Sequence, residues 1–356
     1  MTLSVDVVSS SREDPHAQAR AARSQPLLLH SMSVFREMFA IVFANRKIST
    51  VVEVGVESGQ VSSIYTELGA DRVYCIDPFP TDHLKATLAR NPALELVERP
   101  SPAVLGELPP ADLYVLDGDH NYAVVRGELD WLLKNTPDAV IAMHDVLWPW
   151  SRRDLYYEPS PLAAEDRNEP SSDGPTMWHD ELSPAGFVGL GSFTVAREAG
   201  GERNGVLTAV EDALAAADEE WLFVVVPAVF GMGVLVRKDS PGAKKILDGL
   251  RPYTSSRLLG MLENNRLALY TRVLEMQYEA VAHANDADRL AETISSQRHE
   301  IERLHAELAG KDAEIRALRQ EITELRDPMM LQPPTMGTVV TQLGRVAAAQ
   351  VRKARQ

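Results

Sequence analysis

The sequence predicts an α/β fold: a doubly wound, mostly parallel seven-stranded sheet, followed by a long C-terminal coiled-coil helix. Three observations lead to this prediction. A strand-like run at residues 51–56 passes into a glycine-containing turn and a helical segment. Strand-like and helical segments then alternate with short connections, which favours parallel strands joined by right-handed crossovers. Near the C-terminus, apolar residues recur with a seven-residue period.

The alternation can be assigned element by element. The candidate strands cover residues 51–56, 72–77, 94–99, 112–117 and 139–146. The candidate helices cover residues 60–68, 82–90, 102–106, 122–134 and 205–217. Two apolar runs, 221–227 and 231–238, predict an antiparallel hairpin that closes the sheet.

The same patterns divide the chain into segments. Residues 1–25 are expected to be a disordered lead, and residues 26–250 an α/β domain that begins with an amphipathic helix at 26–45. Within this domain the periodicity breaks at 147–204, and so long an irregular insert is typically functional, often a lid. Residues 251–327 are expected to form the helical, coiled-coil segment, and 328–356 a linker and basic tail.

Composition excludes several classes of protein. With 45% hydrophobic and 24% charged residues, the 356-residue chain is typical of soluble domains rather than fibrous or disordered proteins. Its net charge of −15 argues against a general nucleic-acid binder, which needs a basic face. The single cysteine, Cys75, excludes disulfides within the chain. Neither a membrane-spanning run nor a secretion signal is recognisable, so we expect a cytoplasmic protein.

The turn after the first strand predicts a ligand site. Glu53, Gly55 and Gly59 lie at the passage from strand to helix, where glycine lets a ligand approach the backbone amides. Asp77 ends the second strand, where a carboxylate can accept hydrogen bonds from both hydroxyls of a ribose. The pairing indicates a nucleoside-containing cofactor, although glycine turns after strands also occur for packing alone.

Polar residues follow the fourth and fifth strands at the same edge of the sheet. Asp117, Asp119 and His120 come after one strand, and His144 and Asp145 after the next. Such a cluster of carboxylates requires a cation or a proton to offset its charge. The alternative is that the acids cap helices and the histidine is an ordinary loop residue.

These motifs, in the segments VVEVGVESG, VYCIDPF and DLYVLDGDHNY, make residues 51–238 resemble the class I S-adenosylmethionine (SAM)-dependent methyltransferases. The resemblance implies that Glu53 and Gly55 lie against the methionine part of SAM, with Gly59 in the same loop. It also implies that Asp77 holds the ribose and that the turn ending at Ser101 borders the adenine. Asp117 would complete the cofactor site.

The second cluster is similar to that of metal-dependent O-methyltransferases of the catechol and macrocin types. That similarity implies a divalent ion held by Asp117, His144 and Asp145. Histidine stands where those enzymes carry an acid, which favours a transition metal over magnesium. The expected reaction is transfer of a methyl group to oxygen, with Asp119 or His120 as the base.

Aromatic and basic residues of the insert are candidates for acceptor binding, because they can stack on a ring or sugar and clamp an anion. These residues are Trp148, Arg152, Arg153, Tyr156 and Arg203. An equally open interpretation is that the aromatics form the core of the lid and the arginines pair with nearby acids.

The C-terminal part carries an apolar residue every seven positions, and a second series follows three residues later. The residues are Ile294, Ile301, Leu308, Ile315 and Ile322 in the first series, and Leu304, Leu318 and Leu325 in the second. Isoleucine in the first series with leucine in the second favours two parallel strands, so a homodimer through residues 287–326 is expected. Gln297 and Lys311 interrupt the second series and fix the register. The alternative is one long helix packed on its own catalytic domain.

Residues 338–356 combine apolar residues at helical spacing with basic residues and no acid. This pattern predicts peripheral membrane contact or partner binding, with a solvated tail as the alternative.

The leading hypothesis is therefore metal-assisted O-methylation of a small-molecule or sugar hydroxyl in a natural-product tailoring pathway. A methyltransferase acting on a surface polysaccharide, with the coiled coil as a spacer, is one alternative. A catalytically inactive scaffold is the other.

Overall fold

The computed structural model of the chain describes residues 14–24, 32–187, 193–326 and 336–353. It divides into two compact units, Met1–Glu279 and Ala280–Gln356. The first contains the sheet and its flanking helices. The second contains the C-terminal helices.

Seven strands of the described residues follow the predicted segments within a few positions, and three short strands lie in the insert. They are β1 (Thr50–Val54), β2 (Arg72–Ile76), β3 (Leu94–Val97), β4 (Leu113–Leu116), β5 (Val140–Met143), β6 (Leu155–Tyr157), β7 (Pro170–Ser171), β8 (Phe193–Ala196), β9 (Trp221–Val226) and β10 (Met232–Arg237). The main sheet has seven strands in the order β3-β2-β1-β4-β5-β10-β9. Strand β10 pairs antiparallel with β5 and with β9, and the other pairs are parallel. The predicted fold class is confirmed.

Helices precede, separate and follow these strands along the chain. They are α1 (Ala17–Ser24), α2 (Arg36–Asn45), α3 (Ser62–Leu68), α4 (Asp82–Leu88), α5 (Tyr122–Asn135), α6 (Val206–Ala216), α7 (Ala243–Thr254), α8 (Arg257–Leu325) and α9 (Met336–Lys353). Every residue of β4 and β5 is buried, because helices cover both faces of a doubly wound sheet. The carboxyl ends of β1, β4 and β5 therefore meet in the middle of the sheet, where its strand order reverses.

Two helix predictions differ from the structure. Residues 102–106, expected to be helical, contribute only to a short 3-10 turn at Leu105–Glu107. The helix expected at 26–45 begins later: a 3-10 turn, Met32–Phe35, leads into α2, and residues 25–31 lie outside the described part. Within the expected disordered lead, Ala17–Ser24 forms α1, since alanine fills half of its eight positions.

The insert is more ordered than the irregular stretch that the sequence suggested. Strands β6, β8 and β7 form a small antiparallel sheet in that order. Asp154 organises it from a nearly fully buried position. Its carboxylate accepts hydrogen bonds from the backbone N–H groups of Tyr122 and Gly205, each at 2.7 Å. These N–H groups begin α5 and α6, so one side chain joins the insert to two helix N-termini.

The start of helix α8 belongs to the first unit. Glu263, Leu267 and Thr271 are buried there, and Leu267 is part of the hydrophobic core. In the second unit, α8 continues to Leu325 and α9 follows. Of the helices that the structure describes, none is long and apolar enough to cross a membrane.

Candidate functional site

The loop after β1 has the backbone that its glycines predict. Gly55 and Gly59 have φ values of +83° and +73°, and Glu57 between them has a φ of +50°. A Cβ atom on Gly55 would lie 2.2 Å from the carbonyl oxygen of Asp117. No side chain fits at this position, so Gly55 brings the loop after β1 directly against the loop after β4.

Glu53 points away from that loop into the interior. Its side chain is buried at 2% exposure and accepts a hydrogen bond from Ser62 at the start of α3. Burial, and then the charge of Asp117, raise the pKa of Glu53 to about 8, although the Ser62 hydrogen bond lowers it. The carboxyl therefore holds helix α3 against β1 below the loop, and a direct role at the cofactor stays a prediction.

The predicted ribose and adenine residues lie after β2 and β3. One oxygen of Asp77 accepts a hydrogen bond from the backbone N–H of Phe79 at 2.9 Å, which fixes the carboxylate in the turn. Ser101 follows β3, and its hydroxyl is buried without a hydrogen-bond partner. The carboxyl oxygen Oε1 of Glu128 is also buried without a hydrogen-bond partner. Burial, and then the charge of Asp119, raise the pKa of Glu128 to about 8, although the nearby Ser101 hydroxyl lowers it, so this carboxyl is a buried donor as well as an acceptor.

Unpartnered polar atoms of this kind are what a polar ligand such as an adenine would satisfy. Together with the tight β1 loop and the carboxylate after β2, they fit the SAM site that the sequence predicts.

The residues after β4 and β5 form one cluster. Nδ1 of His144 lies 2.9 Å from Asp117 Oδ1 and 3.4 Å from Asp145 Oδ1. Nδ1 of His120 lies 3.3 Å from the other oxygen of Asp145. The structure thus brings together Asp117, Asp145 and both histidines that the sequence singled out.

His144 is held on both sides of its ring. Its Nε2 lies 2.7 Å from the carbonyl oxygen of Val229, which can only accept a hydrogen bond. Its Nδ1 faces the carboxylate of Asp117. Burial lowers the pKa of His144, but Asp145 and Asp117 outweigh it and raise that pKa to about 9. The ring is therefore an imidazolium near neutral pH.

This arrangement does not fit a metal ion held by His144. Both nitrogens face acceptors, so neither lone pair is available to a cation. Within the described residues, no group of three or more His, Cys, Asp or Glu side chains has the arrangement of a metal site. The positive charge that the carboxylates need is supplied by the imidazolium itself.

Asp145 carries two marks of a functional residue. Its backbone is left-handed, with a φ of +61°, and its side chain is nearly fully buried. Its Oδ1 has no hydrogen bond, although His144 lies close to it. Backbone strain and an unsatisfied buried acceptor persist only where surrounding contacts enforce them, which is typical of active sites.

The two candidate bases differ in surroundings. His120 is 8% exposed, and its Nδ1 lies 3.3 Å from Oδ2 of Asp145. Burial raises the pKa of Asp119, while the nearby His120 lowers it. The cap of helix α5 is formed by Asn121, which accepts from the N–H of Val124, so Asp119 is not needed as a cap.

A strained turn between β9 and β10 supports His144. Val229 and Phe230 have φ values of +44° and +62°, which are unfavourable for residues of these types. Their N–H groups donate to the two carboxylate oxygens of Glu263 in α8, each at 2.9 Å. Arg266 forms two further bonds to the same carboxylate, and its guanidinium lies over the Phe230 ring. Helix α8 thereby holds the turn whose carbonyl accepts from His144.

The predicted acceptor-binding residues are largely engaged within the insert. Arg152 forms a bidentate pair with Glu211 of α6, and Arg153 donates to the carbonyls of Ala196 and Arg197. Arg203 donates to Asp166 and lies over the ring of Tyr122. The ring of Trp148 packs edge-on against Phe187. These contacts match the interpretation of a lid core, and a role in acceptor binding stays a prediction for all four.

The two adjacent tyrosines of β6 face opposite ways. Tyr156 is fully buried and donates to Asp154 at 2.8 Å, so its hydroxyl is committed to the framework. Tyr157 is 44% exposed, and desolvation followed by the charges of Asp117 and Asp119 raises its pKa. Tyr157 is therefore the tyrosine of the two that is exposed, and the charges of Asp117 and Asp119 act on its pKa. The alternation of side chains along a strand was the available signal, but a three-residue strand was not recognisable in the sequence.

A family model and several solved structures are similar to this chain. Residues 52–146, which run from β1 through β5, match the family model described as a methyltransferase domain. Residues 52–146 of this chain thus carry a methyltransferase domain. The protein is a SAM-dependent methyltransferase, as the loop after β1 led us to expect. No curated protein matches the chain.

Solved structures similar to the methyltransferase share its fold at low sequence identity. An SAH-bound methyltransferase from Podospora anserina is 16% identical, covers 62% of this chain and 86% of its own, and has a TM-score of 0.38. An O-methyltransferase from Bacillus cereus with SAH is 14% identical, with coverages of 62% and 88% and a TM-score of 0.37. The Streptomyces achromogenes O-methyltransferase TomG of tomaymycin synthesis, with SAM, is 16% identical, with coverages of 62% and 86% and a TM-score of 0.36. At these scores the similarities add no argument about substrate.

Proposed function

We propose that the methyltransferase transfers the methyl group of SAM to a hydroxyl oxygen of a small molecule or sugar. The observation that carries this proposal is the His120–Asp145 pair at the carboxyl edge of β4 and β5, next to the cofactor loop. A hydroxyl has to lose its proton as its oxygen is methylated, and a histidine oriented by a buried carboxylate suits that task.

When bound, SAM supplies an electrophilic methyl carbon attached to a sulfonium. Asp145 accepts the Nδ1–H of His120, which directs the basic Nε2 toward the acceptor. His120 takes the hydroxyl proton as the oxygen–carbon bond forms, while the carbon–sulfur bond breaks and its electron pair stays on sulfur. Tyr157 and Asp119 border the same space and are the proposed acceptor contacts.

His144 has a separate task in this mechanism. Its imidazolium lies between Asp117 and Asp145 and keeps the cluster from repelling an oxygen that gains negative charge. Metal assistance, which the resemblance implied, has no support from this donor set. A chelator is therefore expected to leave the rate unchanged, and stimulation by added Mg²⁺ or Mn²⁺ would favour the metal-assisted route.

The test compares His120→Asn with Asp119→Asn. Methyl transfer from labelled SAM is measured with phenols, sugars and amines of matched skeletons, and SAH binding is measured by calorimetry. We expect His120→Asn to retain SAH binding and to lose about 100-fold or more in turnover, the usual contribution of a general base. Transfer to the amines but not to the hydroxyl compounds would refute O-methylation.

The natural-product pathway and the cytoplasmic location are parts of this proposal. For the tail, helix α9 exposes Val340, Leu343 and Val346, in keeping with the proposed membrane contact of residues 338–356. Sedimentation with anionic vesicles, with and without the tail, tests it: equal binding by both proteins would remove the membrane contact.

A further inference from the structure

The second unit presents an apolar seam along helix α8. The seam consists of Ile294, Ile301, Leu304, Leu308, Ile315, Leu318, Ile322 and Leu325. Each of these side chains is between 47% and 67% exposed. The helix is continuous through all of them. A regular apolar stripe of this length, rimmed by charges, is the surface that a second helix covers in a coiled coil.

The charges beside the seam are segregated by side. Thr293 precedes the first member of the first apolar series, and acids precede the other four: Glu300, Glu307, Glu314 and Glu321. Residues that follow it by four positions are mostly basic: Arg298, His305, Asp312, Arg319 and Arg326. One flank of the seam is thus negative from Glu300 onward, and the other is basic except at Asp312.

This segregation distinguishes the two possible orientations of a second copy. In a parallel, in-register pair, each acidic-flank residue faces the opposite flank of the partner, five positions further along. Glu314 then meets Arg319 of the partner subunit, and Glu321 meets Arg326 of the partner subunit. In an antiparallel pair, like flanks meet, so glutamates would face glutamates along the whole acidic flank. We infer that the occupant of the seam is a second copy of this chain in parallel, in-register orientation.

The polar interruptions of the seam agree with that register. Lys311 donates from its ammonium to Glu314 at 3.1 Å, and a lysine held in this way can leave its methylene groups to the seam. A shift by one heptad would set Lys311 against a leucine of the second series, whereas the in-register pair sets polar positions together. The unfavourable pair, Glu307 with Asp312 of the partner subunit, lies beside Lys311, whose charge offsets it.

The parallel arrangement has a consequence for the enzyme. In each chain the methyltransferase domain precedes the seam, so both catalytic domains join the coiled coil at the same end. The inference is independent of the acceptor and of the catalytic base, because none of the seam residues lies in the site.

Cross-linking of the full-length protein tests the orientation. Gln297→Cys places a thiol in the seam, whereas Ala306→Cys places one on the opposite side of the helix as a control. The native Cys75 is buried, so it is not expected to form a cross-link. Mild oxidation is expected to link two chains in Gln297→Cys and not in Ala306→Cys. An antiparallel pair would set Gln297 opposite the far end of the seam, so a dimer without this cross-link would overturn the inference.

Charge reversal tests whether a second copy of this chain binds the seam. The variant Arg319→Glu/Arg326→Glu is expected to raise the dimer dissociation constant about tenfold or more, since four flank pairs become repulsive. Mixing it with Glu314→Arg/Glu321→Arg should restore association as a mixed pair. Sedimentation equilibrium reads out both results. A wild-type monomer at micromolar concentration, a trimer, or variants that associate as wild type would each refute the parallel homodimer.

Discussion

Glu263 is the residue whose removal most directly tests how the C-terminal helix supports the site. Its carboxylate is 6% exposed and accepts from two backbone N–H groups, those of Val229 and Phe230. Truncation in Glu263→Ala leaves both groups buried without an acceptor, and each costs about 1–3 kcal/mol. We therefore expect the free energy of unfolding to fall by roughly 3–5 kcal/mol, because the strained turn adds to the loss.

Glu263→Gln separates the acceptor role from the charge. An amide keeps one acceptor oxygen, so we expect about half the effect, roughly 1.5–3 kcal/mol. The matched control is Glu279→Ala, which removes an exposed glutamate from the same helix. The assay is urea unfolding followed by circular dichroism, together with a thermal midpoint that should fall by about 6–20 °C in Glu263→Ala.

Amide hydrogen exchange locates the damage. Protection should be lost first at residues 228–231, the turn that Glu263 holds, and His144 should lose the carbonyl of Val229 as its partner. The reasoning is refuted if Glu263→Ala costs less than about 1 kcal/mol, which is the range of ordinary surface substitutions. It is also refuted if the turn keeps wild-type protection.

Two further predictions concern the loop after β1 and the strand that leads to it. Gly55→Ala should abolish SAH binding in calorimetry and lower the thermal midpoint, because its Cβ would overlap the carbonyl of Asp117; Gly69→Ala, also at positive φ but with nothing within 4 Å, should cost only about 1–2 kcal/mol. Similar costs for both would contradict the steric argument. The pKa of Glu53 rises from 4.5 to about 8 on folding. Because the folded protein favours the protonated carboxyl, the free energy of unfolding should fall as the pH rises from 4.5 to about 8. Glu53→Gln should therefore gain roughly 3–5 kcal/mol relative to wild type across that window in urea unfolding, whereas a pH-independent difference, as expected for the exposed control Glu95→Gln, would refute it.

The fold was predictable because its signals are local and repeated. Buried parallel strands appear as short β-branched and apolar runs, and five of them lie within a few residues of their predicted bounds. The hairpin of β9 and β10 was marked by two apolar runs in the same way. The segment at 102–106 was predicted to be a helix, but it is short and contains Pro102 and Gly106, and only a 3-10 turn forms at Leu105–Glu107.

The site was predictable only in part, because partners far apart in sequence decide its chemistry. The sequence indicated that Asp117 and His144 would lie at one edge of the sheet. It did not indicate that the carbonyl of Val229, 85 residues further on, takes the second nitrogen of His144. Likewise the sequence suggested that Arg152 could bind an anion, but it did not indicate that the guanidinium pairs with Glu211 of α6. Glu263 carried no local signal, since an acid in a long charged helix is ordinarily a solvated residue.

The position of Glu263 also bears on where this protein can be divided. The boundary between the two units falls inside one uninterrupted helix, after Glu279, rather than at a loop. A shortened enzyme that stops at the visible end of α7 would discard the acid that holds the β9–β10 turn. Cutting within the helix, after residue 279, would retain it. Changes of length are therefore expected to be tolerated best beyond residue 279 and in whole heptads. The first turns of α8 belong to the catalytic unit and have to be kept, whereas the part of the helix after residue 279 can vary.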